Sequence, residues 1–283
     1  MSQTNMQDGP TVGQVLKEKS FDVTQARIDD YFEGLEIDGG PFDRGEQPVP
    51  SMIAIEADSY FAESAFAQQR GHLWMRQQWR FVEPLRRGES YSTRARIADI
   101  YKRRDRTLVN TEVQVVDHNG AEALTLNHHQ SFLLDAPVDQ VQFREPGKKE
   151  GVRKFVVPEG DPVPGFDRVI TLEMCGQYFH GNKSYHTDLA ASKELGFREV
   201  VVGGAMTMSY IGHLLDGYFG ERGFRGGELE VKFTNPTWPN DHINVKGVST
   251  GPAASDPSRE SVFAWIEKDD GTIVMIANAS APS

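Results

Sequence analysis

The sequence predicts an α+β chain made of two tandem copies of one unit, each an antiparallel sheet wrapped around a long central helix. Two observations carry this. Three separated blocks of the first half recur in the same order in the second half. In each half, an apolar helical run is followed by a series of strand-like runs.

The repeat begins with "VTQARIDDYFEG" from Val23 and "ITLEMCGQYFHG" from Ile170, which align Tyr31 with Tyr178, Phe32 with Phe179 and Gly34 with Gly181. "FVEPLRRGE" from Phe81 then matches "FTNPTWPND" from Phe233, pairing Pro84 with Pro236 and Glu89 with Asp241. Finally "VVDHNG" and "EKDDG" end on Gly120 and Gly271, each placing a turn between two strand-like runs. The expected organisation is a polar tail over 1–17, a first unit over 18–140, a linker over 141–165 and a second unit over 166–283. The linker is assigned on its Pro, Gly and charge content.

Within the first unit, "SMIAIEADSYFAESAF" reads as the central helix, followed by the strands "LWMRQQWRF", "SYSTRARIADIYKR", "RTLVNTEVQVVD" and "AEALTLNHHQSFLL". In the second unit, "DLAASKELGF" reads as a short helix, with Asp188 as its N-cap and Gly196-Phe197 as its Schellman-type end. "GGAMTMSYIGHLLDGYFG" is apolar almost all round and so predicts a buried helix starting at Gly204. The strands "ELEVKF", "HINVKGVST", "SVFAWIEK" and "TIVMIANA" follow. Joining the two sheets edge to edge would remove strand edges that invite aggregation.

The 283 residues are 38% apolar and 25% charged, with no run long enough for a membrane span. The net charge of −11 argues against a nucleic-acid or anionic-membrane surface. The single cysteine, Cys175, excludes an internal disulfide; with the polar start of the chain it gives a cytoplasmic expectation. Walker, CxxC and GxSxG patterns are absent. His128 and His129, adjacent on a strand, should face opposite sides and not chelate together. Arg103, Arg104 and Arg106 read as a solvated hairpin end, and Cys175 as a small core residue.

The stretches "SYHTDLAASKELGFREVVVGGAMTMSYIGHLL" and "RGGELEVKFTNPTWPNDHINVKG" resemble the MaoC-like (R)-specific enoyl-CoA hydratase/dehydratase family, and "GHLWMRQQWRFVEPLRRGESYSTRARIADIYKRR" the N-terminal unit that often precedes it. The resemblance runs from about residue 18 to residue 280 and implies a double hotdog fold. It also implies a hydratase or dehydratase acting on an acyl thioester, or a related small conjugated carbonyl. Coenzyme A would be part of the substrate, with no metal or redox cofactor, and two chains would pair as a homodimer.

Hydration of an enoyl thioester needs a base for water, an acid for C2 and a partner for the thioester oxygen. On the family pattern His186 is the acid/base, Gly204 the oxyanion-hole glycine and Asp188 the second member of His-x-Asp. Tyr185, His180 and Ala205 join Asp188 as expected substrate contacts. The family's aspartate, five positions before the histidine, is replaced here by Gly181; with a loop one residue shorter, Asn182 takes its place. An amide orients a water but cannot act as its base. His186 then works alone, with His180, or with a carboxylate from elsewhere. The first copy has no matching histidine, so the active site is expected in the second half. A thioesterase and a non-catalytic acyl-binding protein are the competing readings, since fold does not fix function.

Overall fold

A computed structural model describes residues 10–42, 48–58, 73–103, 106–132 and 155–283. Its framework is one 10-stranded antiparallel sheet in the order β1-β3-β4-β5-β2-β7-β10-β9-β8-β6. The strands of the first half are β1 (Lys19–Asp22), β2 (Leu73–Phe81), β3 (Ser90–Arg103), β4 (Arg106–Val116) and β5 (Glu122–Phe132). Those of the second are β6 (Asp161–Val169), β7 (Glu228–Phe233), β8 (His242–Ala253), β9 (Asp256–Lys268) and β10 (Ile273–Pro282). Each half thus has the same internal order, and the halves join where β2 pairs with β7.

The repeat is carried down to single hydrogen bonds. Val23 N donates to Glu89 O at 2.9 Å, and its match Ile170 N to Asp241 O at 3.0 Å. Gly88 N donates to Val23 O, and Asn240 N to Ile170 O. Val49 N donates to Leu85 O just before Ser51, as Val202 N does to Thr237 O just before Gly204. Sequence blocks that match therefore make the same backbone contacts, which is the signature of a duplicated unit.

Helices α1 (Gln25–Leu35) and α2 (Leu172–Tyr178) open the two copies, each capped by a threonine, Thr24 or Thr171. They pack so closely that a Cβ added at Gly34 would lie 2.5 Å from Tyr178 Cα, which explains why glycine stands there. The repeated tyrosines converge on one residue. Tyr31 donates to Ser209 O at 3.3 Å, and the Tyr178 hydroxyl lies 2.9 Å from Ser209 Oγ. Ser209 belongs to α4 (Gly204–Phe219), the buried helix, which follows α3 (Leu189–Glu194) and precedes α5 (Glu221–Phe224). Cys175 is buried against Met206, and burial pushes its thiol up to about 11, so it is a core residue.

Three expectations change. The central helix expected from Ser51 is a 3-10 helix over Ser51–Ala57, and residues 59–72, which would continue it, lie outside the described residues. The last residues of the expected linker belong to β6, whose Pro162 and Pro164 are tolerated because it is the outermost described strand. The end of the expected polar tail is attached to the sheet: Leu16 is buried, and the exposed Val15 bridges Arg96. Arg104 also lies outside the described residues, while Arg103 and Arg106 face each other across the β3–β4 pair. Among the described residues no helix is long and apolar enough to cross a membrane.

The two helix starts differ in what meets them. Ser51 N donates to the Asp216 carboxyl at 2.9 Å, so a side chain from α4 closes the start of the 3-10 helix. Burial pushes the Asp216 carboxyl up to about 7, from an ordinary 3.8. The folded chain therefore keeps a proton that the unfolded chain releases, and stability falls as pH rises between these two values. Asp216→Asn, which keeps the acceptor and cannot ionise, should raise the melting temperature relative to the parent by a margin that grows from pH 4.5 to pH 8. Thermal melts at the two pH values check this, and a margin independent of pH would contradict it.

Candidate active site

A cavity of about 440 Å³ lies between the halves and is lined from both. From the second half come His180, Asn182, Tyr185, His186, Gly204 and Ala205; from the first come Glu56, Asp58, Trp74 and His128. All but one of the residues expected at the site thus reach one cavity. Asp188 does not line it. Its carboxylate caps α3 through Ala191 N at 2.9 Å and pairs with Lys183 at 3.3 Å, so its place is structural.

The loop after α2 is held by its own polar groups. His180 and Gly181 both have positive φ, which turns the chain back after the helix. Ser184 Oγ accepts from His186 N at 3.2 Å, and Thr187 Oγ1 donates to Asn182 O at 2.8 Å. Downstream, α3 ends in the expected Schellman motif, with Phe197 N donating to Ser192 O and Gly196 N to Lys193 O. Phe197 stacks on Tyr185, and so ties the end of α3 back to the loop.

Between these anchors sits His186. Its ring stacks on Phe179 at a centroid distance of 5.0 Å and an angle of 14°, and the Tyr185 ring centroid is 3.8 Å away. Its Nδ1 lies 2.7 Å from Val201 O. A carbonyl only accepts, so Nδ1 carries the proton, and the lone pair of the neutral ring is on Nε2.

The two glycines at the start of α4 each make room for an aromatic wall. A Cβ at Gly203 would lie 2.3 Å from Phe179 Cζ, and one at Gly204 would lie 3.0 Å from Phe233 Cε1 and 3.1 Å from Trp74 Cε3. Their missing side chains admit the rings that shape the cavity. Gly203 provides no side-chain cap for α4, whose first turn opens on the cavity through Gly204 and Ala205. Helix starts of this kind present unpaired N–H groups and the positive end of the dipole.

Two carboxylates that sequence reasoning did not identify line the same cavity. Glu56 is 3.2 Å from His180 Nε2 and pairs with Arg27, while Asp30 holds His180 Nδ1 at 2.6 Å. The Glu56 bond, with Asp30 behind it, raises the His180 pKa against the effect of burial. Asp58 accepts from His128 Nδ1 at 2.7 Å and from Gln77 Nε2 at 3.3 Å. The Trp74 indole stacks on His128 at 4.3 Å. His129 faces away, as strand alternation requires, and contacts the Tyr101 hydroxyl at 3.1 Å. A signal for His128 was available in the sequence: Leu124, Leu126 and His128 form one inward row, in which a histidine breaks an apolar pattern. Among the described residues, no three His, Cys, Asp or Glu side chains gather as a metal site.

The hydrogen bond to Val201 makes the His186 tautomer measurable. Nitrogen NMR of labelled protein above the ring's titration should show a protonated Nδ1 and an unprotonated Nε2. The reverse pattern would mean that the Val201 contact does not orient the ring.

Residues 182–265 match the family model described as the MaoC like domain. No curated protein sequence matches the chain. Among solved structures, a protein described as a MaoC-like dehydratase superposes with a TM-score of 0.72 at 13% identity, covering 96% of this chain and 98% of that one. A MaoC-like dehydratase from Phytophthora capsici gives 0.68 at 15% identity, covering 97% and 96%. A conserved hypothetical protein from Mycobacterium tuberculosis, described as having a double hotdog fold, gives 0.62 at 12% identity, covering 97% and 98%. The chain has the double hotdog fold, and residues 182–265 within it are a match to the MaoC-like domain.

Proposed function

We propose that this protein adds or removes water across the 2,3-bond of an acyl thioester, with coenzyme A as the carrier. One observation above all supports this reading: His186, with its lone pair on Nε2, shares a cavity with the uncapped first turn of α4.

In the hydration direction, the thioester oxygen accepts from the N–H groups of Gly204 and Ala205, which stabilise the enolate-like charge that develops there. His186 Nε2 takes a proton from the water whose oxygen bonds to C3. The same imidazolium then gives a proton to C2, so that the elements of water are added and the histidine is restored. Asn182 orients the water but cannot take its proton. The counterpart of this helix start in the first half is closed by Asp216. A single site per chain, in the second half, follows from that difference.

A panel of trans-2-enoyl-CoA and 3-hydroxyacyl-CoA thioesters tests the proposal. Loss of conjugated-thioester absorbance without free thiol supports hydration; thiol release would make the protein a thioesterase, and neither signal would leave a binding protein. His186→Ala should lower kcat by ~10²–10⁴-fold, the usual contribution of a general acid/base, with the melting temperature nearly unchanged. Asn182→Asp restores a carboxylate to the loop and should keep or raise the hydration rate, read in the same assay.

A further inference from the structure

The first half of a duplicated acyl-binding fold needs only apolar lining to hold a hydrocarbon. This one buries Gln77 and Asp58 beside the cavity and sets the half-buried His128 against them. The residues at the same steps of the second copy, counted from the matching Phe233, Gly204 and Gly271, are Leu229, Ile211 and Ala279, all buried and apolar. Polar groups have therefore been set where the fold itself accepts hydrocarbon.

Their bonding is incomplete. Asp58 Oδ2 is occupied by His128 and Gln77, while Asp58 Oδ1 and His128 Nε2 are buried without a hydrogen-bond partner among the described residues. Such atoms cost stability unless something completes them. Their chemistry says what that must be. An ionised carboxylate only accepts, and because His128 Nδ1 donates to Asp58, Nε2 of the neutral ring accepts as well. Both atoms call for a hydrogen-bond donor. A carboxylate on the ligand would meet Asp58 and Glu56 with like charge, and among the described residues no lysine or arginine lines the cavity to offset them.

The position relative to the reacting end is fixed by one indole. Trp74 comes within 3.1 Å of where a Gly204 Cβ would stand, and it stacks on His128 on the way to Asp58. A group bound there is separated from the α4 start by the width of that ring. We propose that Asp58 and His128 form a recognition site for a hydroxyl on the acyl group, so that the substrate is a short acyl thioester ending in a hydrogen-bond donor. The assignment of the thioester end rests on the function proposed above; the assignment of the hydroxyl rests on the first-half residues alone.

Pairs of trans-2-enoyl-CoA thioesters test it. One member of each pair ends in a methyl and the other in a hydroxyl, as in 2-hexenoyl-CoA and 5-hydroxypent-2-enoyl-CoA, with the series extended by single methylenes. At one chain length the hydroxyl member should show kcat/KM higher by ~10²-fold or more, since sites built to bond a substrate hydroxyl can discriminate by ~10⁴–10⁵. In the double variant Asp58→Leu with His128→Leu, which replaces the pair by hydrocarbon, that preference should collapse. Asp58→Asn gives a milder test should the double variant not fold, and should reduce the preference. Methyl members used as well as hydroxyl members at every length by the parent protein would overturn the proposal. So would a single variant, His128→Leu, that loses turnover equally on both members, since His128 would then act on the enoyl unit itself. If the parent turns over none of these thioesters, calorimetry separates the two readings. Tighter binding of a hydroxyl member, lost in the double variant, would keep the recognition site and reject hydration; equal binding of both members would reject the recognition site.

Discussion

Everything functional in this molecule depends on the pairing of β2 with β7. Gln78 stands opposite Glu230 in that register, and the sequence blocks place these two residues at equivalent steps of the two copies. The pseudo-twofold axis therefore runs through the seam. Arg76 and Gln78 both bond to Glu230, so side chains as well as the ladder hold the register. A slip by one residue would turn every inward side chain of one half outward. Because the register holds, Trp74 and His128 of the first half face Gly204 and Phe233 of the second. The cavity is a product of the seam, and neither half could enclose it alone.

Symmetry at the seam makes the asymmetry of the two helix starts informative. Both are reached by the same backbone hydrogen bond, Val49 to Leu85 and Val202 to Thr237. At Ser51 the site is filled by a carboxyl from the protein itself, and burial keeps that group near neutrality. At Gly204 aromatic rings stand to the sides and the first turn opens on the cavity. A helix start stabilises negative charge wherever it lies. In one copy the first N–H is bonded internally and ties α4 to the first half; in the other the first turn faces the cavity.

Much of this was legible in the sequence, for physical reasons. The periods of the strands, the apolar helix from Gly204 and the Schellman end at Gly196 are local patterns, and local patterns survive folding. Three of the predicted strands, β2, β3 and β7, have the bounds read from the sequence. β1 and β6 were missed because outer strands need little apolar alternation, and β6 carries two prolines. That the loop residues around His186 reach one cavity with the start of α4 was legible because loop and helix lie within one stretch of chain. Glu56, Asp58 and Trp74 were not, since they reach the cavity only across the seam, and no spacing along the chain encodes that juxtaposition.

The absence of the usual aspartate from the loop takes on a different meaning once the seam is in view. A carboxylate beside His186 would have stood on the same stretch of backbone as the histidine. The carboxylates that line this cavity, Glu56 and Asp58, come from the first half, each engaged with a different histidine. His180, carried by the second half, is thereby bonded to α1 and to the 3-10 helix of the first. Negative charge stands across the cavity from the His186 loop, on residues of the first half. There it ties the halves together through His180 and sets a polar end to the cavity through His128. In the mechanism proposed above, chemistry that relies on His186 alone would ask more of the ring's placement than a dyad does. Stacking on Phe179 and the bond from Nδ1 to Val201 meet that demand by fixing both the plane and the tautomer of the imidazole.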